Sequence, residues 1–415
     1  MTASSKQQNR NETRVAEVFP GGGAEVSSVV KVLTLFGTRP EVIKLAPVIR
    51  ALERPGRGFE TVNVLSGQHA DLVRPFLASF AVRVDHDLRI MEPGQTPSLV
   101  CARVLAALDP LLKRTTPDVV LVQGDTSTTL AGALAAFHRS VPVGHVEAGL
   151  RSGDVTSPFP EEMNRRLVSR LATWHFAATE RNRATLLGEG VDAERVFLTG
   201  NPVVDALLDV RERAAAGPAL APTLAATAGL RRIALTSHRR ESFGQAMRGN
   251  LDALRRFVET HADVALVFPV HPNPAVVAET RAALGAHPRI HLLAPLGYED
   301  FVALVAASWL VVSDSGGVQE EAPSLGRPLL ILRENTERPE AVLSGLARLV
   351  GGRPERLAEL LEEAAKPGSW VESVSRIENP FGRGDAGERI AGVLEELLGR
   401  GGRRRSPSSS AEVAR

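Results

Sequence analysis

The chain has 415 residues, 43% of them hydrophobic, which is enough for two or three domains with cores of their own. Its 49 lysines and arginines stand against 48 acidic residues, so no global field favours nucleic acid, and recognition of an anion has to come from local placement. One cysteine, Cys101, rules out an internal disulfide; no apolar run reaches the roughly 18 residues of a membrane helix, and nothing before the first strand resembles a signal peptide, so the expectation is a cytoplasmic protein with a small substrate.

Residues 1–28 and 400–415 are short of anything that can be buried and are expected to be disordered tails, the second one basic. Between them, short β-branched runs alternate with helical stretches. Strands are expected at 29–36, 61–66, 118–123, 141–146, 174–179 and 195–200, then at 231–237, 264–270, 289–294, 309–314 and 327–332. Strands so continuously apolar are covered on both faces. The alternation predicts an α/β protein of two Rossmann-like doubly wound domains, 29–205 and 206–374, with the Ala/Pro-rich run 211–229 at the division. The domains should face one another across a cleft, and the last helix, within 375–399, should pack back on the first domain.

Ligands of doubly wound sheets collect beyond the carboxyl ends of strands, so polar residues there carry the functional reading. FGTRPE (36–41) places Arg39 beside a helix start with Lys44 one turn on, a cradle for phosphate or else a capped turn with a solvated arginine. QGDTSTTLAG (123–132) ends a strand with Asp125, which reads as an N-cap until GHVEAGLRSGD ends the next strand with Glu147. Two such acids converging beside an arginine suggest a site. In SPFPEEMNRR (157–166), Glu161 and Glu162 complement a helix dipole, and closeness to Glu147 keeps Glu161 as a candidate.

The second half adds SHRRESFG, in which His238 stands beside Arg239 and Arg240, a pattern that suits a departing diphosphate, and PVHPNP, with His271 at another strand end. No cysteine or histidine cluster has zinc spacing, so no metal is expected. SDSGGVQEEAPSLGRP (313–328) turns at Ser315, Gly316 and Gly317 into a helix whose glycines let a phosphate approach the backbone. Glu321, four residues past Gly317, faces the ligand and suits ribose hydroxyls, whereas Glu320 is turned about 100° away and is expected on the helix surface or in a structural ion pair. Arg338, after the next strand, is placed to close over phosphates.

Together these stretches, with TGNPVVDAL and TERPEA, closely resemble the non-hydrolysing UDP-N-acetylglucosamine 2-epimerases from about Lys31 to Leu398. The resemblance implies a glycosyltransferase-B-like fold, a homodimer, and no nicotinamide or other cofactor. It implies interconversion of UDP-GlcNAc and UDP-ManNAc by elimination of UDP to 2-acetamidoglucal and re-addition. By motif matching, Asp125, Glu147 and Glu161 are the acids at the sugar, His238 acts near the leaving diphosphate, and Arg39, Lys44, Phe301, Ser315, Gly316, Gly317, Glu321 and Arg338 bind the UDP-sugar. Gln68, Arg239 and His271 match contacts to a second, activating UDP-GlcNAc in many bacterial members, but GQHADLV has Ala70 and Asp71 where the family motif differs, which argues against activation. A hydrolysing relative that releases ManNAc, an enzyme of another UDP-sugar, a glycosyltransferase on the same fold, and a silent nucleotide-sugar binding protein are the rival readings.

Overall fold

The computed structural model describes residues 29–68, 70–213, 215–237 and 245–399. The expected tails, His238 and Arg239 lie outside them. Strands β1 (Val30–Phe36), β2 (Phe59–Leu65), β3 (His86–Asp87), β4 (Val119–Gln123), β5 (Val143–Ala148), β6 (Trp174–Ala177) and β7 (Val196–Leu198) form one sheet in the order β3-β2-β1-β4-β5-β6-β7. A second sheet runs β10-β9-β8-β11-β12-β13, from β8 (Arg231–Thr236), β9 (Val264–Pro269), β10 (Ile290–Leu293), β11 (Leu310–Ser313), β12 (Leu329–Ile331) and β13 (Ala347–Leu349). All these pairings are parallel.

Parallel strands need crossover helices, which cover both faces and explain the continuous apolar runs. In the first sheet Leu33, Leu35, Val120 and Val122 pack beneath the helix Pro97–Thr115, while Val32 and Leu121 pack on the opposite face with the helix Arg39–Leu52. These are two Rossmann-like domains in the glycosyltransferase-B-like arrangement. Strand order reverses between β1 and β4 in one sheet and between β8 and β11 in the other. At such a switch point the flanking helices leave in opposite directions and open a crevice.

The edge strands β3 and β13 were not expected from sequence, being two and three residues long with no β-branched run. The run 211–229 is not a bare linker. It takes in the end of the helix Pro202–Arg213 and the helix Ala221–Ala226, and buries Leu220 against Ala234, Val267 and Leu304. Among the described residues, no helix is long and apolar enough to cross a membrane.

The helix Ala386–Leu398 lies on the first domain, with Ile390, Ala391 and Leu394 in one cluster with Leu45, Val48, Ile49 and Leu52. Its first turn is satisfied from outside: the Asp205 carboxylate accepts from the Gly387 and Ala386 N–H groups at 2.8 and 3.2 Å. Burial nevertheless raises the Asp205 carboxyl to about 6.

A Cβ at Gly387 would stand 2.7 Å from the Pro47 carbonyl oxygen, whereas at Gly392 nothing lies within 4 Å. Gly387→Ala should therefore lower stability by about 1–3 kcal/mol through forced separation of the two helices. Gly392→Ala, in the same helix, should raise it by up to about 1 kcal/mol. Denaturant titration of both variants checks this; equal effects would contradict the seating of the helix.

Candidate active site

The strand ends flanking both switch points open on one cleft of about 1530 Å³. Arg39, Lys44, Gln68, Asp125, Glu147 and Glu161 line it from the first domain. His271, Phe301, Ser315, Gly316, Gly317, Glu321 and Arg338 line it from the second.

On the first wall, β1 ends at Phe36 and the chain turns through Gly37 directly into the helix Arg39–Leu52. Glu41, almost fully buried, accepts from the Gly37 and Thr38 N–H groups at 2.9 and 2.7 Å and from the Thr126 and Thr129 hydroxyls at 2.7 and 3.0 Å. That ties the turns after β1 and β4 together and leaves Arg39 at the cleft, its guanidinium 5.6 Å from the Phe76 ring centre. Asp125 is not the cap of the following helix. Thr126 takes that position, accepting from the Thr129 N–H at 3.1 Å. Asp125 is thereby released toward the cleft, and Arg165 grips its Oδ2 through Nε at 2.8 Å and Nη2 at 2.7 Å.

Glu147 ends β5 in a left-handed conformation with φ 63°, beside a register shift between Val146 and Ala148. Its Oε1 accepts from Lys44 Nζ at 2.5 Å and from Asn201 Nδ2 at 3.0 Å, and its Oε2 accepts from Gln123 Nε2. Desolvation works to raise this carboxyl, but Lys44, Arg338 and the donors outweigh it, so its pKa falls below the usual value. Burial likewise works to lower the Lys44 ammonium, and Glu147 and Glu320 reverse it, so that the net shift is upward. Of the paired acids that begin the helix Glu161–Leu171, Glu161 faces the cleft, while Glu162 turns inward to accept from the Ser152 N–H at 2.9 Å and from Arg165 and Arg166.

Behind this wall His145 and His175 are adjacent rungs of β5 and β6, both buried. Desolvation lowers them to about 4 and about 3, so both are neutral at physiological pH. His145 Nε2 donates to the Gly124 carbonyl at 2.8 Å, which assigns its tautomer.

On the second wall, Ser315, Gly316 and Gly317 lead into the helix Val318–Ser324. Glu320 takes the second of its two expected places, in an ion pair, and not one on an exposed helix surface. It is 2% exposed and lines the cleft, accepting from Arg338 Nε at 2.5 Å with Lys44 Nζ 3.5 Å away. The helix is wedged between the domains, with every residue from Val318 to Pro323 buried, so it has no solvent face to offer. Lys44 in turn is committed to the two carboxylates rather than open to an incoming phosphate. Arg338 lies 4.0 Å from Glu147, across the domain boundary.

Glu321 is less fully compensated by these cations than Glu147. Burial, with the Glu320 charge, raises its carboxyl to about 7, Arg39 and Lys44 offsetting only part of this. The hydroxyl of Tyr298, the one tyrosine in the chain, donates to it at 3.4 Å. Tyr298 also stacks obliquely on Phe76 of the first domain, centroids 5.6 Å apart. Gln68 accepts from the Thr128 hydroxyl at 2.7 Å, and His271 is exposed at the rim. Among the described residues no acid, histidine or cysteine group could hold a metal ion. Sequence reasoning missed Gln123, Arg165, Asn201 and Tyr298. Gln123 also stands at a strand end and Arg165 lies one helical turn beyond Glu161, so position alone could have flagged these two.

Residues 50–395 match the family model described as UDP-N-acetylglucosamine 2-epimerase. The UDP-N-acetylglucosamine 2-epimerase of Escherichia coli (strain K12) is 46% identical over 371 residues, covering 88% of this chain and 98% of the relative. Among solved structures, the S. aureus MnaA–UDP complex is 40% identical with TM-score 0.81, covering 89% of this chain and 97% of that one. The UDP-GlcNAc 2-epimerase from Neisseria meningitidis bound to UDP-GlcNAc is 38% identical with TM-score 0.80, covering 88% and 100%. With a family model over most of the chain and a relative of this identity and coverage, the chain belongs to the UDP-N-acetylglucosamine 2-epimerase family.

Proposed function

We propose that this protein epimerises UDP-GlcNAc and UDP-ManNAc at C2 by eliminating UDP and adding it back. The observation that carries the reading is the division of the cleft: Asp125, Glu147 and Glu161 on one wall, with Arg39 beside them, and Arg338 and the Ser315–Gly317 turn on the other. Relatives with known ligands support the choice of substrate, since the Neisseria protein was solved with UDP-GlcNAc and the S. aureus one with UDP.

The C2 proton of the sugar is not acidified by a carbonyl, so departure of UDP from C1 has to run ahead of its removal or together with it. The C1–O bond breaks with its electron pair going to the β-phosphate, a carboxylate takes the C2 proton, and the C1–C2 double bond of 2-acetamidoglucal forms. Arg39 and Arg338 offset the charge that grows on the leaving diphosphate, and His238 is assigned to the same task. Re-addition reverses the step with a proton delivered to the opposite face of C2, which calls for two groups. Glu147, held ionised by its donors, suits electrostatic support of the cationic character at C1. Asp125 and Glu161 are left to exchange the proton. Glu321, beside Tyr298, accepts from the ribose hydroxyls.

In D2O the enzyme should place deuterium at C2 of both UDP-sugars, read by proton NMR. No exchange would refute the epimerase reading, and free ManNAc accumulating with UDP would replace it by hydrolysis. Asp125→Asn should lower kcat about 100-fold or more with a small change in KM. Glu321→Ala should mainly raise KM and weaken UDP binding; the reverse pattern would exchange the two roles.

Because the folded-state pKa of Glu321 is raised, its uncharged form is the one that fits. The stability it affects is complete below the ordinary carboxyl pKa and is lost as pH rises through about 7. The loss is on the order of 3 kcal/mol. Denaturation midpoints of Glu321→Gln should therefore fall less between pH 5 and pH 8 than those of the unaltered protein, with Asp205 contributing equally to both. Identical pH slopes would show that Glu321 is ionised at neutral pH in the empty cleft.

A further inference from the structure

The chain passes between the domains twice, and the two passages touch. The outgoing one leaves β7 through Gly200 and Asn201 into the helix Pro202–Arg213; the returning one runs through Asn379, Phe381 and Gly382 into the helix Ala386–Leu398. They meet at Gly200 and Gly382, with φ 85° and 124°, where a Cβ on Gly382 would lie 3.2 Å from the Gly200 Cα. Backbone angle and close approach both exclude a side chain there. Next to this contact the Asn201 N–H donates to the Phe381 carbonyl at 2.7 Å.

The Asn201 side chain is 1% exposed and committed at both ends. Its Oδ1 accepts from the Val203 N–H at 3.1 Å, which orients the amide, and its Nδ2 donates to Glu147 Oε1 at 3.0 Å. From Phe381 the connection continues into the second domain. The Phe381 N–H donates to Asn379 Oδ1 at 3.1 Å, and Asn379 Nδ2 donates to the Ser324 hydroxyl at 2.9 Å. Ser324 donates to the Glu320 carbonyl at 2.6 Å. A continuous run of hydrogen bonds therefore joins the helix that carries Glu320 and Glu321 to Glu147 in the other domain.

We propose that Asn201 is a positioning residue that ties the Glu147 carboxylate to the crossing of the two interdomain passages, so that the seat of Glu147 follows the angle between the domains. The functional weight of this rests on the reading of Glu147 as one of the acids at the sugar. Glu147 requires such a tie, because a left-handed residue at a register shift is not held by its strand, and a buried anion needs donors from several directions. Lys44 and Gln123 move with the first domain and Arg338 with the second, while Asn201 sits where the two passages meet. Charge faces Glu147 from Lys44 on its own domain's first helix, from Arg338 across the boundary, and on its own strand from the neutral but titratable His145; Glu320 acts on it through the two cations. Rotation of the second domain thus reaches Glu147 both as a change in distance to Arg338 and as a pull on Asn201.

The test uses full-length protein labelled with 13C at glutamate Cδ, with the Glu147 signal assigned by Glu147→Gln. In Asn201→Ala the titration midpoint of Glu147 should rise by about one pH unit, because a donor to the carboxylate is gone. Asn379→Ala touches neither Glu147 nor the cleft wall, yet should move the same midpoint by roughly half as much. In turnover, kcat should fall about tenfold for Asn201→Ala and about threefold for Asn379→Ala, KM staying within about threefold. The double variant should be no slower than Asn201→Ala alone, because both residues lie on one path. Losses that multiply in the double variant, or a Glu147 signal indifferent to Asn379→Ala, would overturn the proposal. Should Asn201→Ala fail to fold, Asn379→Ala decides alone. If the unaltered protein forms no UDP-ManNAc, the epimerase reading falls, and the carboxyl titration still decides the positioning.

Discussion

Lys44, Glu147, Glu320 and Arg338 are buried together where the domains meet, and the shorter contacts among them lie within each domain. Lys44 and Glu147 are 2.5 Å apart in the first, Arg338 and Glu320 2.5 Å apart in the second, while the contacts across the boundary measure 3.5 and 4.0 Å. Taking a lone charge out of water costs several kcal/mol, so surfaces that meet already neutral avoid most of that penalty. The same arrangement makes each member indispensable to the others. Removing one leaves a buried, uncompensated charge, on the order of 3–5 kcal/mol.

The properties of the cleft follow from where this group ends. Glu147, inside it, is kept below the usual carboxylate pKa; Glu321, one residue beyond Glu320 and beside an aromatic hydroxyl, is raised to about 7. Neighbouring carboxylates are thereby held in different protonation states by their surroundings. Asp125 stands in a third environment, partly open and clasped by Arg165. The two histidines on β5 and β6, both neutral at physiological pH, add no charge to this balance.

Much of this is local and was legible in the sequence. Alternation of apolar runs with helical stretches specifies both sheets, and the residues just past strands 29–36, 118–123, 141–146 and 309–314 fall on the cleft because parallel strands all present their carboxyl ends on one side. What was not legible depends on the second domain's approach. The helical wheel turns Glu320 away from Glu321 correctly, but only the packing of one domain on the other makes that direction an interior. Asn201 carries no signature of its own, since an asparagine after a strand is ordinarily a turn residue. β3 and β13 are too short to leave a periodicity.

The helix Ala386–Leu398 has a consequence for the order in which the molecule is made. It supplies the outer cover of the helix Arg39–Leu52, so the domain begun first on the ribosome lacks part of its wall until the last described helix emerges. The second domain, uninterrupted in the chain from β8 to β13, can close its core earlier. Nascent chains therefore carry an apolar stripe along Arg39–Leu52 until that helix emerges.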